Sequence, residues 1–243
     1  MNILIPMGGS DDAFRQQGHH YIKPLIEIDG RPLVQHVFEP LAKVPGARTI
    51  FVIRMADDLR FFLREVLRLL DPSVEVIRAD GPTAGAACTA LMAIELIDND
   101  AELLIANADQ ILNFDLPATL QRFRDRGLDA GTVVFDAVHP RWSFVKTDAD
   151  DMVIEAAEKR PISRNATAGV YYFRQGRFFV EAAKAMILKD ANVNGGFYVC
   201  PCLNELVLAQ KRVGVERIGR EQYISLSTPQ AVEDYETLLQ ARG

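Results

Sequence analysis

No stretch of this 243-residue chain approaches the roughly 20 consecutive apolar residues that a membrane-spanning helix needs. Cysteine is scarce: three residues, Cys88, Cys200 and Cys202, are no disulfide framework, so a reducing compartment is the expectation. Positive charge is short as well. With 27 basic against 33 acidic side chains the net charge is −6, and a duplex-binding protein would carry a basic surplus, so nucleic acid is not the expected partner. Also missing are a Walker A lysine pattern and a Gly-x-Ser-x-Gly elbow. The first apolar run, residues 2–6, is strand-sized and unlike a secretory leader. A cytoplasmic protein with no membrane insertion is therefore expected.

What is present is an alternation of short β-branched runs and helical patterns. Strands are predicted at Ile3–Ile5, Thr49–Ile53, Val74–Ile77 and Glu102–Ala106. Helices are predicted at Leu33–Leu41, Leu59–Leu70 and Ala86–Ile97. That order implies right-handed βαβ crossovers and a parallel sheet covered on both faces. After about Asp136, strands at 144–147, 153–157 and 168–173 have short polar connections and predict antiparallel pairing. Helical patterns return at 178–188, 201–209 and from Gln230 to about Ala241. With no repeat and no Pro/Gly/Ser linker, residues 1–243 read as a single domain. The fold class is α/β, a mainly parallel sheet with an antiparallel elaboration in its second half.

In open parallel sheets ligands bind at the carboxyl ends of the strands, which selects three segments. Gly8-Gly9, after the first strand, is either a tight turn or a backbone that approaches a phosphate closely. Lys23, in the same connection and extended because Pro24 follows, is either a solvated lysine or a phosphate contact. Thr83 to Ala87 are small residues that either start a helix or admit a flat base. Asp109, ending an apolar run, is either a cap or a carboxylate for a divalent cation bridging phosphates. His19-His20 without a third ligand reads as a solvated loop, Cys200-Pro-Cys202 as two small buried side chains, and Cys88, in a helical pattern, as core.

An ordered series of motifs then resembles a known family. They are Ile5-Pro-Met-Gly-Gly9, Lys23-Pro-Leu-Ile26, Gly30-Arg-Pro-Leu33, Ala106-Asn-Ala-Asp-Gln110 and His139-Pro-Arg-Trp-Ser-Phe-Val145. Glu158-Lys-Arg-Pro-Ile-Ser163, Ala166-Thr-Ala-Gly-Val-Tyr-Tyr-Phe173, Val193-Asn-Gly-Gly-Phe-Tyr198 and Ser227-Thr-Pro229 continue it. Together they are similar to the sugar-1-phosphate nucleotidyltransferases, the group that includes glucose-1-phosphate thymidylyltransferase. The branch they look most like is met in bacterial capsule and surface-polysaccharide gene clusters. The resemblance implies a Rossmann-like α/β/α sandwich, the nucleotide-diphospho-sugar transferase fold. It also implies a nucleoside triphosphate and a sugar or polyol phosphate as substrates, pyrophosphate as product and Mg2+ as cofactor; a homo-oligomer is a further expectation. By the same resemblance Gly8, Gly9, Thr83 and Gly85 would contact the nucleotide, and Lys23 its phosphates. Asp109 would hold the metal, Glu158 and Lys159 would lie near the sugar phosphate, and Gly169 beneath the sugar.

One stretch departs from the family. Where its members carry a Gly-x-Arg-Phe-like run, this chain has Ser10-Asp-Asp-Ala-Phe14, with Ala13 in place of the arginine and two added carboxylates. Gly196 also stands where an acidic residue is common. Two carboxylates facing a polyphosphate would repel it unless a cation intervenes. Three readings follow. The first is a nucleotidyltransferase with Arg15 or another cation substituting, or with the aspartates binding extra magnesium. The second is a glycosyltransferase using a nucleotide-sugar donor, with Asp109 or Asp11-Asp12 holding the metal on its diphosphate. The third is a non-catalytic nucleotide-sugar-binding protein.

Overall fold

A computed structural model describes residues 1–241; the last two residues of the expected unit 1–243 lie outside the described residues. Strand β1 (Asn2–Met7) leads through a short helix α1 (Asp12–Gln16) and a small hairpin, β2 (Glu27–Ile28) and β3 (Arg31–Pro32), into α2 (Leu33–Ala42). Next come β4 (Arg48–Arg54), α3 (Met55–Phe61), α4 (Leu63–Leu70) and β5 (Glu75–Ala79). Helices α5 (Ala86–Leu91) and α6 (Ile94–Ile97) precede β6 (Leu103–Ala106), β7 (Gln110–Leu112), α7 (Leu116–Asp125) and β8 (Ala130–Asp136). The second half holds β9 (Ser143–Thr147), β10 (Val153–Glu158), β11 (Asn165–Phe173), α8 (Gly176–Leu188) and α9 (Val199–Leu208). It ends with β12 (Val213–Arg217), β13 (Tyr223–Ser225) and α10 (Pro229–Gln240).

The predicted parallel core is found. β5, β4, β1 and β6 lie side by side and parallel, with Met7 level with Ile53 across the β1–β4 pair. Antiparallel β11 continues the sheet beyond β6 and carries β8 and β9, and β9 carries β10. Alternation along β1 sends Leu4 to one face and Ile3 and Ile5 to the other. The first face packs on α5, α6, α8 and α9, the second on α2, α4 and α7, which makes the α/β/α sandwich. No described helix is long and apolar enough to cross a membrane.

Two predicted helices are interrupted. The Leu59–Leu70 pattern breaks at Phe62, which takes a left-handed conformation with φ of 54°; the Asp58 carboxylate accepts the Arg64 N–H at 3.0 Å and restarts the helix as α4. The Ala86–Ile97 pattern divides into α5 and α6. Strand β12 goes unread in the sequence because Val-Gly-Val-Glu-Arg is short and half polar; its parallel pairing with β8 supplies the order that its local pattern lacks.

Candidate active site

β1 is the switch point of the sheet: the chain moves outward from it to β4 and β5, then crosses back to β6 on its other side. Crossovers that diverge in this way leave a crevice at the carboxyl ends of the two strands. A cleft of about 640 Å³ occupies that place, and all three segments selected from the sequence line it.

Gly8 and Gly9 follow β1 directly. A Cβ on Gly8 would stand 2.7 Å from the Thr89 hydroxyl, so the close approach of this turn to α5 requires glycine. Thr83 meets Thr89 hydroxyl to hydroxyl at 2.5 Å. Gly85 has φ of 101°, and a side chain there would overlap the Phe197 backbone, which is hydrogen-bonded to both Ala84 and Ala87. This tight crossing holds the wall beside the Gly8 turn.

Lys23 and Asp109 meet across the cleft. Nζ donates to Asp109 Oδ2 at 2.6 Å, with side chains 15% and 23% exposed. Gly169, in the bulge of β11 at φ of 60°, lies against the Asn107 and Gln110 side chains and leaves no room for a Cβ. Its carbonyl accepts from the Asn107 N–H and the Gln110 amide. Asp109 is thus carried on a loop clamped to β11.

Glu158 ends β10 and Lys159 follows it directly. Ser143, its partner in register on β9, donates a hydroxyl hydrogen bond to Glu158 Oε2. Burial raises the Glu158 pKa above the ordinary glutamate value, against the Ser143 hydrogen bond and the charge of Lys159. Lys159 is left-handed at φ of 53°, and its ammonium lies 5.3 Å from the centre of the Tyr198 ring. A non-glycine residue held there marks a site whose surroundings impose the conformation.

The aspartate pair needs correction. Asp11 does not face the cleft as a free carboxylate: it is 2% exposed, accepts the Lys23 N–H at 3.0 Å and pairs with Arg54. Asp12 is exposed in α1. Arg15 is not the substituting cation either, since it lines a separate depression with His19, His20 and Arg60. Of the other arginines, Arg141 lines the cleft and stacks on Trp142 at 4.2 Å, whereas Arg124 and Arg126 pair with Glu102 and Glu216. Cys200 and Cys202 are buried as expected, and burial raises both thiol pKa values; Cys88 is only partly buried rather than core.

Sequence reasoning missed Arg54. It closes β4, so the same strand-end rule would have found it had the second strand been followed to its end. Burial lowers its pKa, but the hydrogen bond to Asp57 and the charges of Asp11 and Asp57 outweigh that and raise it.

Among the described residues no group of three or more His, Cys, Asp or Glu side chains is gathered to hold a metal. Magnesium differs from metals that need such a cage: it takes one or two carboxylates, keeps waters and completes its shell with substrate phosphates. A single, partly exposed Asp109 fits an ion that arrives with a phosphate ligand.

Comparison with known proteins adds to this geometry. A family model described as nucleotidyl transferase matches residues 4–199. The mannose-1-phosphate guanylyltransferase catalytic subunit beta of Danio rerio is 25% identical over 178 residues, 71% of this chain and 49% of that protein. Mannose-1-phosphate guanylyltransferase 1 of Arabidopsis thaliana is 23% identical over 177 residues, 70% of this chain and again 49% of the relative. The chain spans about half the length of the curated relatives it matches. Among solved structures, a nucleoside-diphosphate-sugar pyrophosphorylase from Vibrio cholerae RC9 superposes with a TM-score of 0.86 at 26% identity, covering 97% of this chain and 99% of that one. The inositol-1-phosphate CTP transferase of T. maritima has a TM-score of 0.75 at 16% identity, with 98% and 94% covered, and shares the fold.

Proposed function

The chain belongs to the nucleotidyl transferase family, and from that membership we propose that it couples a nucleoside triphosphate to a sugar or polyol phosphate, releasing pyrophosphate. The observation that carries the reading is one cleft at the switch point bringing the Gly8 turn, the Lys23–Asp109 pair and the Glu158–Lys159 pair together. The relatives named for mannose-1-phosphate guanylyl transfer support that chemistry. Supply of an activated sugar for surface polysaccharide, in the cytoplasm, is the wider role proposed.

In the reaction an oxygen of the acceptor phosphate attacks the α-phosphorus while the bond to the β-phosphate breaks. A phosphate is already ionised at neutral pH, so the protein needs no strong base. It must hold two anions in line and meet the charge that builds on the oxygens. In this reading the Gly8 and Gly9 turn admits the nucleotide's phosphates, and Thr83 and Gly85 border its base. Lys23 contributes an ammonium beside them. Lys159 meets the acceptor phosphate, Glu158 accepts from sugar hydroxyls, and the Gly169 bulge, held by Asn107 and Gln110, lies beneath the ring. Asp109 is the residue to hold magnesium, which when bound neutralises phosphate charge.

The test is a screen of the common nucleoside triphosphates against sugar and polyol phosphates with magnesium, read by pyrophosphate release and phosphorus NMR. Nucleotide-sugar formation with stoichiometric pyrophosphate is expected. Transfer from a ready-made nucleotide sugar without pyrophosphate would replace this reading with a glycosyltransferase. Binding without turnover would replace it with a binding protein.

A further inference from the structure

The geometry points to Arg54 as the guanidinium that recognises the terminal phosphates of the nucleotide, in place of the arginine that the glycine loop lacks at Ala13. This rests on the reading of the Gly8 turn as the nucleotide-phosphate site.

Ala13 sits exposed in α1, so the loop itself offers no guanidinium there. The β1–β4 register, with Met7 level with Ile53, puts Arg54 beside Gly8 at the adjoining strand end. Arg54 lines the cleft with its side chain 21% exposed. Two carboxylates orient it: Nε donates to Asp57 Oδ2 at 2.5 Å and Nη2 to Asp11 Oδ2. Asp11 is itself fixed by the Lys23 N–H. Among the described residues Nη1 has no hydrogen-bond partner, so one edge of the fork remains for a ligand. Asp11 of the loop and Asp57 of α3 therefore aim a cation into the cleft. Because two carboxylates outnumber one guanidinium, the trio accepts a phosphate that brings a counter-cation, and the readout belongs in magnesium.

The experiment measures dissociation constants for the tri- and monophosphates of the four ribonucleosides and thymidine, with magnesium, on wild type, Arg54→Lys and Asp57→Asn. Wild type is expected to prefer triphosphate to monophosphate. Arg54→Lys keeps the charge but loses the fork, and should cut that preference about tenfold while leaving monophosphate affinity near wild type. Asp57→Asn should lower the preference by less. A purely structural pair would weaken both ligands alike, so an unchanged ratio in a folded Arg54→Lys overturns the inference; should that variant not fold, an unchanged ratio in Asp57→Asn does so. A wild type without triphosphate preference overturns it as well. An enzyme that binds triphosphate through Arg54 yet never releases pyrophosphate sinks the proposed reaction alone.

Discussion

Burial at the end of β10 makes Glu158 bind its proton more tightly in the folded protein than in the unfolded chain. A raised carboxyl pKa contributes stability that is complete below the ordinary glutamate value and is lost as pH rises through the raised one. Glu158→Gln keeps an acceptor for the Ser143 hydroxyl and removes the titration. Its melting temperature should therefore gain on wild type as pH is taken from 4 to 8, a trend that thermal unfolding across that range checks; a constant difference would count against the burial account. Glu158 and Lys159 were legible only through the family's ordered motifs, because nothing in Glu-Lys-Arg-Pro marks a buried carboxyl. Lys23 and Asp109 were legible from position alone, since each lies in a connection leaving a parallel strand. The Asp11–Arg54 pair was not: it joins residues 43 apart in sequence, and in isolation Asp11 looks like a charge opposing phosphate.

Where two elements cross, glycine decides whether the site can form. Gly85 lies at φ of 101° with the Phe197 backbone against the face where a Cβ would stand, at the start of α5. Gly85→Ala should lose about 2–4 kcal/mol, combining left-handed strain with overpacking against backbone that cannot swing away. At roughly 2–4 °C per kcal/mol for a chain of this size, calorimetry should find a melting point lower by about 4–16 °C. A loss under 1 °C would mean that the 83–87 wall yields. At this scale the sequence was read well where an apolar period ran unbroken, as in β1, α2 and α8, and poorly where tertiary contacts interrupt a period. Phe62 keeps a helical pattern on both sides yet turns left-handed, because the Asp58 carboxylate caps a new helix just beyond it. Helix α7 was left unread although Asp115 caps it through the Ala118 N–H and Leu116, Leu120 and Phe123 repeat at helical spacing.

Across the whole molecule, the parallel order β5-β4-β1-β6 sets the carboxyl ends that supply Gly8, Arg54 and the Asp109 loop on one rim, and the β9–β10 pair adds Lys159 from the antiparallel half. A ligand gripped at all of these points binds only the native chain, so its affinity appears as global stability. At a hundred times its dissociation constant a magnesium–nucleoside triphosphate should add about 2.7 kcal/mol, a rise of about 5–11 °C in melting temperature. Asp109→Asn separates the electrostatic contributions. It removes the carboxylate proposed to hold the ion, so the magnesium-dependent part of the shift should vanish. It also releases the Lys23 ammonium from its 2.6 Å partner. In EDTA the variant should therefore bind inorganic tripolyphosphate more tightly than wild type does, and more so at low salt, where attraction between unlike charges is least screened. Magnesium dependence and metal-free affinity then move in opposite directions on one substitution, which a merely loosened site cannot produce. Equal gains with and without magnesium would remove Asp109 from the metal and leave it as the counter-charge of Lys23, whereas equal losses would remove both roles.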